Sequence, residues 1–471
     1  MSRVTTAKLI NTSAGPIRGD VADDVLRLRG VPFADPPLKR LADQPAQPAT
    51  PWSDPLDARK PGPAPLQPQL FDMGMRSSAH CSEDCLTLNV DAPATGSGHP
   101  VMVWIFGGGY ITGDAADPLF DGGNLAREGV VVVRANYRLG ALGRNNLGLS
   151  DQLLALQWVQ DNAVALGGDP GRVTLFGESA GAMSICNLLT LPAARGLFHG
   201  AIAQSGAGSN IASTEQAAEA HRRWSEERAR LADPGDAEQL MDLQTRLGRE
   251  LRPKFGGMPF RPVVDDKLLP EHPEVAAGLG ADVPLIIGHN ADEHRLYMNP
   301  RQRINDGGLS ATLLPRLPAE IINELPEVYP QLADLEVLAA VETELRYRQP
   351  QQRYVRAREQ ARHAAGLPAN TWTYKFNWPS PALRGWLGAC HAIEIPFVFN
   401  NFTERSTAKF VGPGHEELAR EVLQLWVHFA RHSRPPDHWS AHPNVLELHP
   451  HTRCRPTNAV ESFWNEMLGT A

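Results

Sequence analysis

The chain has 471 residues, of which 42% are apolar and 21% charged, so a wholly disordered or collagen-like chain is excluded. The formal net charge is -8 without a dense lysine or arginine tract, which argues against nucleic acid or a membrane surface as a partner. Five irregularly spaced cysteines form no recognisable disulfide framework, and no signal peptide or apolar run of membrane-spanning length is found. We therefore expect a soluble cytoplasmic protein.

The first part of the chain alternates short β-like runs with turns and then becomes rich in proline. Turn signals separate three predicted strands, at residues 9–10, 17–18 and 26–31. Residues 35–70 predict an ordered surface meander, with a linker as the alternative interpretation. Residues 68–80 contain one phenylalanine and two methionines, which suggests a rim over a cleft.

Strands alternate with helices between residues 100 and 300. Continuous apolar runs predict strands that are buried on both faces, at Pro100–Phe106, Val130–Val133, Val173–Phe176, Gly200–Gln204 and Val283–Ile287. Apolar residues near helical spacing predict helices over residues 151–166 and 180–189. This alternation predicts an α/β fold in which helices flank a central, mostly parallel twisted sheet.

Two charged segments with a helical pattern, residues 214–250 and 310–366, are predicted to be helical insertions that form the walls of a cleft. Residues 415–432 predict a strongly amphipathic helix. Because the chain shows neither a clear domain linker nor an internal repeat, we expect a single domain over residues 1–471.

The strongest chemical signal is Gly177-Glu178-Ser179-Ala180-Gly181, which matches the G-x-S-x-G pattern of a nucleophile elbow. It follows a predicted buried strand and precedes a predicted helix, as such an elbow requires. Glycines flank the serine because the strand must turn sharply into the helix, where larger side chains would clash. We predict that Ser179 is a nucleophile, with an ordinary helix start as the alternative.

A triple glycine, Gly107-Gly108-Gly109, follows another predicted strand and indicates an oxyanion hole. Glycine lets backbone amides approach a reacting carbonyl without side-chain obstruction. The expected donors are the amides of Gly108, Gly109 and Ala180, and Tyr110 and Phe106 are candidate pocket-lining residues. A phosphate-binding loop is disfavoured because no G-K-[ST] sequence follows.

Together with further segments, these motifs resemble the type-B carboxylesterases, an α/β-hydrolase family that includes bacterial para-nitrobenzyl esterases and animal cholinesterases. The resemblance is to the bacterial branch, follows family order and extends over nearly the whole chain. The matching segments are Arg29–Pro37, Ser82–Asn89, Asn136–Gly140, Gly148–Gln152, Gly167–Ala182, Gln204–Gly206, Arg261–Asp265, Gly288–Glu293 and His391–Phe399. The resemblance implies the α/β-hydrolase fold, with helical insertions that form the cleft.

The resemblance also locates a base and an acid for the serine. The chain has 16 histidines, and position in the family motif selects His391 as the base that a serine nucleophile needs. The acid that orients the imidazole maps to Glu293, and Asp292 is the rival because sequence chemistry does not separate adjacent carboxylates. The order Ser179, Glu293, His391 agrees with the nucleophile, acid, base order of α/β-hydrolases.

The function implied by the resemblance is a serine carboxylic-ester hydrolase that acts through an acyl-enzyme on short to medium, moderately apolar esters. A carbamate, amide or toxin-ester hydrolase is the first alternative, because pocket shape decides among these substrates. A non-catalytic binding protein is the second, although such relatives generally lose the serine or the histidine. We expect no metal or organic cofactor, a small ester as the partner, and a monomer or homodimer. The resemblance implies that Cys85 matches a cysteine that is disulfide-bonded in secreted members of the family. The upstream partner expected from it around residues 62–65 is missing, which supports a reducing compartment.

Overall fold

The computed structural model is built around one large β-sheet and describes residues 6–38, 43–68, 80–304, 307–402 and 405–470. The rim suggested for residues 68–80 therefore lies almost wholly outside the described residues. The strands are β1 (Thr6–Asn11), β2 (Pro16–Ala22), β3 (Val25–Pro32), β4 (Leu56–Asp57), β5 (Ala64–Pro65), β6 (Cys81–Ser82), β7 (Thr87–Pro93), β8 (His99–Ile105), β9 (Val131–Ala135), β10 (Gly168–Glu178), β11 (Gly200–Gln204), β12 (Leu285–Asn290), β13 (Thr371–Phe376), β14 (Val445–Leu448) and β15 (Arg453–Arg455).

Among the described residues the main sheet has 13 strands, in the order β1-β2-β3-β7-β9-β8-β10-β11-β12-β13-β14-β15, with β4 beside β2. Every neighbouring pair from β9 to β14 is parallel, and the outer strands β1, β2, β3, β7 and β15 are antiparallel to their neighbours in that order. Each residue of β9, β11 and β12 is buried, because helices cover both faces of the sheet. The five predicted central strands and the mostly parallel sheet are thus confirmed.

Helices cover this sheet and extend beyond its edge. Their bounds are α1 (Gly123–Arg127), α2 (Leu147–Asn162), α3 (Ala180–Thr190), α4 (Thr214–Arg228), α5 (Ala237–Phe255), α6 (Gly308–Leu313), α7 (Ala319–Val328), α8 (Asp334–Thr343), α9 (Gln349–Ala364), α10 (Ile395–Val398), α11 (Arg405–Val411), α12 (Glu416–His432) and α13 (Ala459–Met467). A π-helical turn, Glu344–Arg348, joins α8 to α9. In the part of the chain described here, no helix combines the length and apolar character that a membrane span requires.

Strand β7 is buried but was not predicted, because polar residues interrupt its apolar pattern. Asp91, on this strand, is completely buried and forms ion pairs with Arg27, Arg29 and Arg134. Strands β13 and β14 were not predicted either. Each carries a charged residue, and these two residues, Lys375 on β13 and Glu447 on β14, are paired in the register of the two strands. A charged side chain becomes compatible with a buried strand only when a partner from elsewhere in the chain satisfies it.

The predicted insertion at residues 214–250 is the helical pair α4 and α5, which begins with a capping box between Ser213 and Gln216. The apolar stripe of α5 packs against Trp224 of α4 and forms a second apolar cluster, apart from the core beside the sheet. Ala141 and Leu142, in a turn next to the sheet, belong to the same cluster. The predicted insertion at residues 310–366 consists of α6 to α9, and the helix predicted at 415–432 is α12.

Parallel strands place all predicted site residues at one edge of the sheet. The triple glycine follows β8, Ser179 follows β10, Glu293 lies just beyond β12, and His391 lies in the segment that follows β13. Because the carboxyl ends of parallel strands meet at one edge, residues far apart in the sequence come together there, as in other open α/β sheets.

Candidate active site

Ser179 occupies the sharp turn between β10 and α3. Its backbone angles are φ 54° and ψ -120°, a conformation that a residue with a side chain adopts only under local constraint. The amide of Ser179 donates a hydrogen bond to the Gln204 carbonyl oxygen on β11 at 2.8 Å, which fixes the turn to the neighbouring strand. The side chain is partly exposed, so a substrate can reach its oxygen.

Close approach of the backbone explains the glycines around this serine. A Cβ atom at Gly177 or Gly181 would collide with the carbonyl oxygen of Ile105 on β8. A Cβ atom at Gly206 would collide with the carbonyl oxygen of Ser179 itself. The turn therefore needs hydrogen at each of these positions, which is the reason that sequence analysis gave for the elbow.

The triple glycine forms a loop beside the elbow. Gly108 and Gly109 both have positive φ angles, 98° and 64°, which glycine adopts without strain. Neither amide donates to an acceptor within the described residues, and Ala180, as the first residue of α3, has no intrahelical acceptor for its own N–H. The structure thus leaves the three predicted oxyanion donors available for a ligand.

The two predicted pocket-lining residues are both buried. Phe106 is 1% exposed and stacks on Tyr137, with ring centroids 4.5 Å apart, so its ring belongs to the core behind the loop. This corrects the expectation that Phe106 lines a pocket. Tyr110 is 6% exposed and has a φ of 64°, and its ring lies beside a small cavity that Ser184 and Phe260 also line.

Glu293 and His391 form a buried pair. Nδ1 of His391 lies 2.6 Å from Oε2 of Glu293, and the exposures of the two residues are 4% and 0%. The other carboxylate oxygen of Glu293 accepts a hydrogen bond from the Asn290 amide at 2.7 Å. The carboxylate is therefore fixed at both oxygens, and it can hold the imidazole with Nδ1 protonated.

Asp292, the rival acid, points elsewhere. Its Oδ2 accepts a hydrogen bond from the Ala389 amide at 3.0 Å, and its Oδ1 lies 3.2 Å from Nε of Arg295. Asp292 thus fastens the segment that carries His391, and of these two adjacent carboxylates it is that of Glu293 that contacts the imidazole.

Glu178 also contacts the imidazole, although sequence analysis gave this residue no catalytic role. Nε2 of His391 lies 3.0 Å from Oε1 of Glu178, and no hydrogen bond joins Nε2 to the Ser179 hydroxyl in this structure. In unliganded enzymes the hydrogen bond between nucleophile and base is often long and tightens only when substrate binds. The position of Glu178, next to the serine in the sequence, is the signal that could have identified it.

These contacts shift two pKa values. Burial would lower the pKa of His391, but the negative charges of Glu178 and Glu293 and the neighbouring Tyr297 and Tyr347 outweigh burial and raise it well above 6.5. Burial raises the pKa of Glu178, and the charge of His391 opposes that rise. Glu178 therefore favours the protonated imidazole, the form that is unable to act as a base.

We expect Glu178→Gln to shift the acid limb of the kcat/KM profile to lower pH. A base must be neutral, so kcat/KM rises with pH through the pKa of His391 in the free enzyme. Removing the Glu178 charge lowers that pKa, and at a pH on the wild-type limb the activity relative to its plateau rises several-fold. The measurement is kcat/KM for a neutral ester from pH 5 to 9. The control is Glu274→Gln, which alters a carboxylate paired with Arg353 on the surface and should leave the acid limb unchanged. If the acid limb of Glu178→Gln is unchanged or moves to higher pH, the Glu178 charge does not raise the pKa of His391.

Two tyrosines flank the imidazole. The Tyr297 and Tyr347 rings have centroids 5.6 Å and 5.1 Å from that of His391. Tyr347 belongs to the π-helical turn, a feature that is frequent at functional sites. Tyr297 is 55% exposed and so forms part of the accessible wall of the site. Neither tyrosine was predicted, because their proximity depends on how the second insertion packs.

A third carboxyl group, that of Glu394, lies behind the pair. It accepts hydrogen bonds from Asn290 Nδ2 at 2.6 Å and from Gln204 Nε2 at 3.2 Å. Burial and the negative charges of Glu178 and Glu293 raise the pKa of Glu394 to about 8. Glu394 is therefore mostly protonated at neutral pH, which reduces the negative charge behind His391.

The parallel sheet, the serine elbow after β10 and the glutamate–histidine pair at the same edge define the class of α/β-hydrolases. The model of the carboxylesterase family matches residues 6–464. The chain is 35% identical to the para-nitrobenzyl esterase of Bacillus subtilis (strain 168), over 91% of each chain. It is 33% identical to the fumonisin B1 esterase of Sphingopyxis macrogoltabida, over 92% of this chain and 83% of that one.

A solved structure of a thermophilic para-nitrobenzyl esterase superposes with a TM-score of 0.84 at 31% identity, covering 97% of this chain and 99% of that chain. The chain belongs to the carboxylesterase family, and the resemblance drawn from its sequence is confirmed. It is accordingly a carboxylic-ester hydrolase with the α/β-hydrolase fold.

Proposed function

We propose that Ser179, His391 and Glu293 hydrolyse carboxylic esters through an acyl-enzyme. The observation that supports the proposal most strongly is the buried contact of 2.6 Å between Glu293 and His391, at the edge of the sheet where the Ser179 elbow emerges. A serine hydroxyl is a weak nucleophile, and a histidine held in one tautomer by a carboxylate is the arrangement that activates it.

In the first step, Nε2 of His391 takes the Ser179 proton as Oγ attacks the ester carbonyl carbon. The amides of Gly108, Gly109 and Ala180 donate hydrogen bonds to the resulting oxyanion. The C–O bond to the alcohol then breaks, the imidazolium gives its proton to the leaving oxygen, and the acyl group remains on Ser179. Glu293 stays ionised and stabilises the imidazolium.

In the second step, water replaces the alcohol. His391 takes a proton from water as its oxygen attacks the acyl carbon, and the same amides hold the second oxyanion. The bond to Ser179 Oγ breaks, Oγ recovers its proton from His391, and the acid product leaves. Ester and water are thus converted to acid and alcohol without a net change in the enzyme.

We propose short to medium, moderately apolar esters as substrates. Flexible apolar side chains lie near the glycine loop and the serine elbow. A Cβ atom at Gly109 would lie 3.5 Å from Cε of Met258, and one at Gly206, which packs on the Ser179 carbonyl, would lie 3.2 Å from Cγ of Met183. Both methionines are partly exposed, and thioether side chains adapt to acyl groups of different shape.

The test is a pre-steady-state titration with 4-nitrophenyl esters that carry acyl chains of two to twelve carbons. We expect a burst of nitrophenol equal to the enzyme concentration, the sign of acyl-enzyme accumulation, and an optimum among the shorter chains. A fluorophosphonate should label Ser179 once, as identified by peptide mass spectrometry. Hydrolysis of amides or carbamates but not of esters would contradict the proposed substrate class, and labelling of another residue would contradict the proposed nucleophile.

We further propose that the chain is one cytoplasmic domain that acts as a monomer or homodimer on a small ester, without a metal or organic cofactor. Cys85 supports the reducing compartment, since it is a buried thiol without a disulfide partner. The proposed mechanism itself needs only the Ser179 hydroxyl, backbone amides, the His391 imidazole, the Glu293 carboxylate and water.

A further inference from the structure

Helix α5 has one polar residue, Gln244, on its otherwise leucine-rich buried stripe. Gln244 is 3% exposed and lies on the stripe formed by Leu240, Leu243 and Leu247, which are buried in the second apolar cluster. Burying an amide among leucines is costly unless it forms hydrogen bonds. We therefore expect the buried side chain of Gln244 to have a hydrogen-bond partner.

That partner is the turn of residues 139–143, which follows β9. Oε1 of Gln244 accepts a hydrogen bond from the Ala141 amide at 2.8 Å. The Gln244 amide group also packs directly on Gly140, where a Cβ atom would collide with it. Nε2 of Gln244 has no partner among the described residues, so the side chain acts here only as an acceptor.

The same turn also contacts the glycine loop. The Gly140 amide donates a hydrogen bond of 2.6 Å to the carbonyl oxygen of Tyr110, the residue directly after Gly109. At its other end the turn is anchored by Arg138, whose guanidinium forms two hydrogen bonds with Asp151 on α2. The Tyr110 carbonyl is thus held by a turn that is fixed on one side by α2 and on the other by α5.

The loop needs such support because it has an unfavourable conformation at its end. Tyr110 has a φ of 64°, and a bulky aromatic residue with positive φ is a backbone outlier. An oxyanion donor works only within a narrow range of distance, and a displacement of about 1 Å can cost about 100-fold in rate. A contact that fixes the Tyr110 carbonyl therefore also bears on the adjacent Gly109 amide.

We propose that Gln244 is a positioning residue for the oxyanion hole, acting through the Ala141 amide, the Gly140–Tyr110 hydrogen bond and the Gly109 amide. The inference rests on the proposed function. It assigns to the α4–α5 insertion a part in transition-state stabilisation, in addition to the cleft wall predicted for it from the sequence.

The test compares three variants of Gln244 with the wild type. Gln244→Met keeps the volume but removes the acceptor, Gln244→Glu keeps an acceptor oxygen, and Gln244→Asn keeps the amide but retracts it by about 1.5 Å, one carbon–carbon bond. Leu247→Ala is the matched control, because it removes a buried side chain of the same cluster one helical turn away on α5 and leaves the hydrogen bond between Gln244 and Ala141 in place. All measurements are made well below the melting temperature of each variant.

Two inhibitors separate positioning from general damage. An alkyl trifluoromethyl ketone forms a tetrahedral adduct with Ser179 and needs the oxyanion hole, whereas the product alcohol binds without it. We expect Gln244→Met to lower kcat and the affinity for the ketone by roughly 10- to 100-fold, with KM and the affinity for the alcohol within about twofold. Gln244→Asn should show a smaller loss of the same kind, and Gln244→Glu should recover most of the wild-type affinity.

Leu247→Ala should lower the melting temperature and leave the ratio of the ketone and alcohol affinities unchanged. Equal losses of both affinities in Gln244→Met and Gln244→Asn, or an unchanged affinity for the ketone, overturn the proposal. If Gln244→Met does not fold, the comparison of Gln244→Asn with Gln244→Glu still tests the positioning role, because both variants retain a buried polar group. If the wild type neither hydrolyses esters nor binds the ketone, the proposed function is wrong, and the positioning role of Gln244 is wrong as well. If the wild type is active but the Gln244 variants behave like it, the positioning role alone is wrong.

Discussion

Ser179→Ala is expected to lower kcat for a 4-nitrophenyl ester by about 10⁴- to 10⁶-fold, the range seen when a serine hydrolase loses its nucleophile. The substitution removes the atom that forms the acyl bond, so the nitrophenol burst disappears together with steady-state turnover. The oxyanion amides and the binding site remain, and they leave a small rate above that of the uncatalysed reaction. Because alanine is smaller than serine and the side chain is partly exposed, the fold should be retained.

Ser150→Ala, a serine-to-alanine substitution on α2, is the matched control and should retain the wild-type burst, because Ser150 has no part in the proposed mechanism. Circular dichroism and the melting temperature of both variants establish that they are folded. A burst of normal size in Ser179→Ala would show that another group carries the acyl chain, and the assignment of the nucleophile would be wrong.

Glu293→Gln is expected to lower kcat by about 10⁴-fold, as for the loss of charge at the corresponding position of other triads. Glutamine preserves the shape of the side chain, but its amide is neutral and can present N–H to Nδ1 of His391. The imidazole then favours the wrong tautomer, and the imidazolium of the transition state loses the charge that lies 2.6 Å from Nδ1 in the wild type. KM should change far less than kcat, since Glu293 is completely buried and presents no surface that a substrate could touch.

Asp292→Asn is the informative comparison, because the two carboxylates are adjacent in the sequence. The substituted asparagine would still accept the Ala389 hydrogen bond through its amide oxygen, so we expect a loss of at most about tenfold, through looser attachment of the segment that carries His391. The measurement is kcat for both variants at the pH optimum. A larger loss in Asp292→Asn than in Glu293→Gln would reverse the assignment of the acid.

The features that could be predicted from the sequence are local. The elbow at Ser179 and the glycine loop could be predicted because each depends on a few consecutive residues: glycines where the backbone is crowded, next to strands that are apolar throughout. The central strands were predicted for the same reason, since burial on both faces leaves a continuous apolar run. Strand β7 was missed because its buried Asp91 is neutralised by three arginines from other parts of the chain.

The direction in which side chains point was the main feature that could not be predicted from the sequence. Phe106, next to the glycine loop, was expected in the pocket, but its ring packs on Tyr137. Glu178 was given no catalytic role from the sequence, and its carboxylate lies against the imidazole of His391. Both residues are adjacent in the sequence to predicted site residues, so their closeness to the site was known. The side of the backbone on which each side chain lies could not be predicted.

By itself, the sequence determined the α/β architecture, the family to which the chain belongs and the candidate serine, histidine and glycine amides, because these follow from local patterns and from motifs in a fixed order. The tertiary structure alone decided that Glu293 rather than Asp292 contacts His391, that Glu178 and two tyrosines surround the imidazole, and that Gln244 of an insertion hydrogen-bonds to the turn that holds the Tyr110 carbonyl. Each of these contacts joins residues whose separation in space depends on how strands and helices pack, and packing distances of a few ångströms are set by the whole fold and not by any one segment.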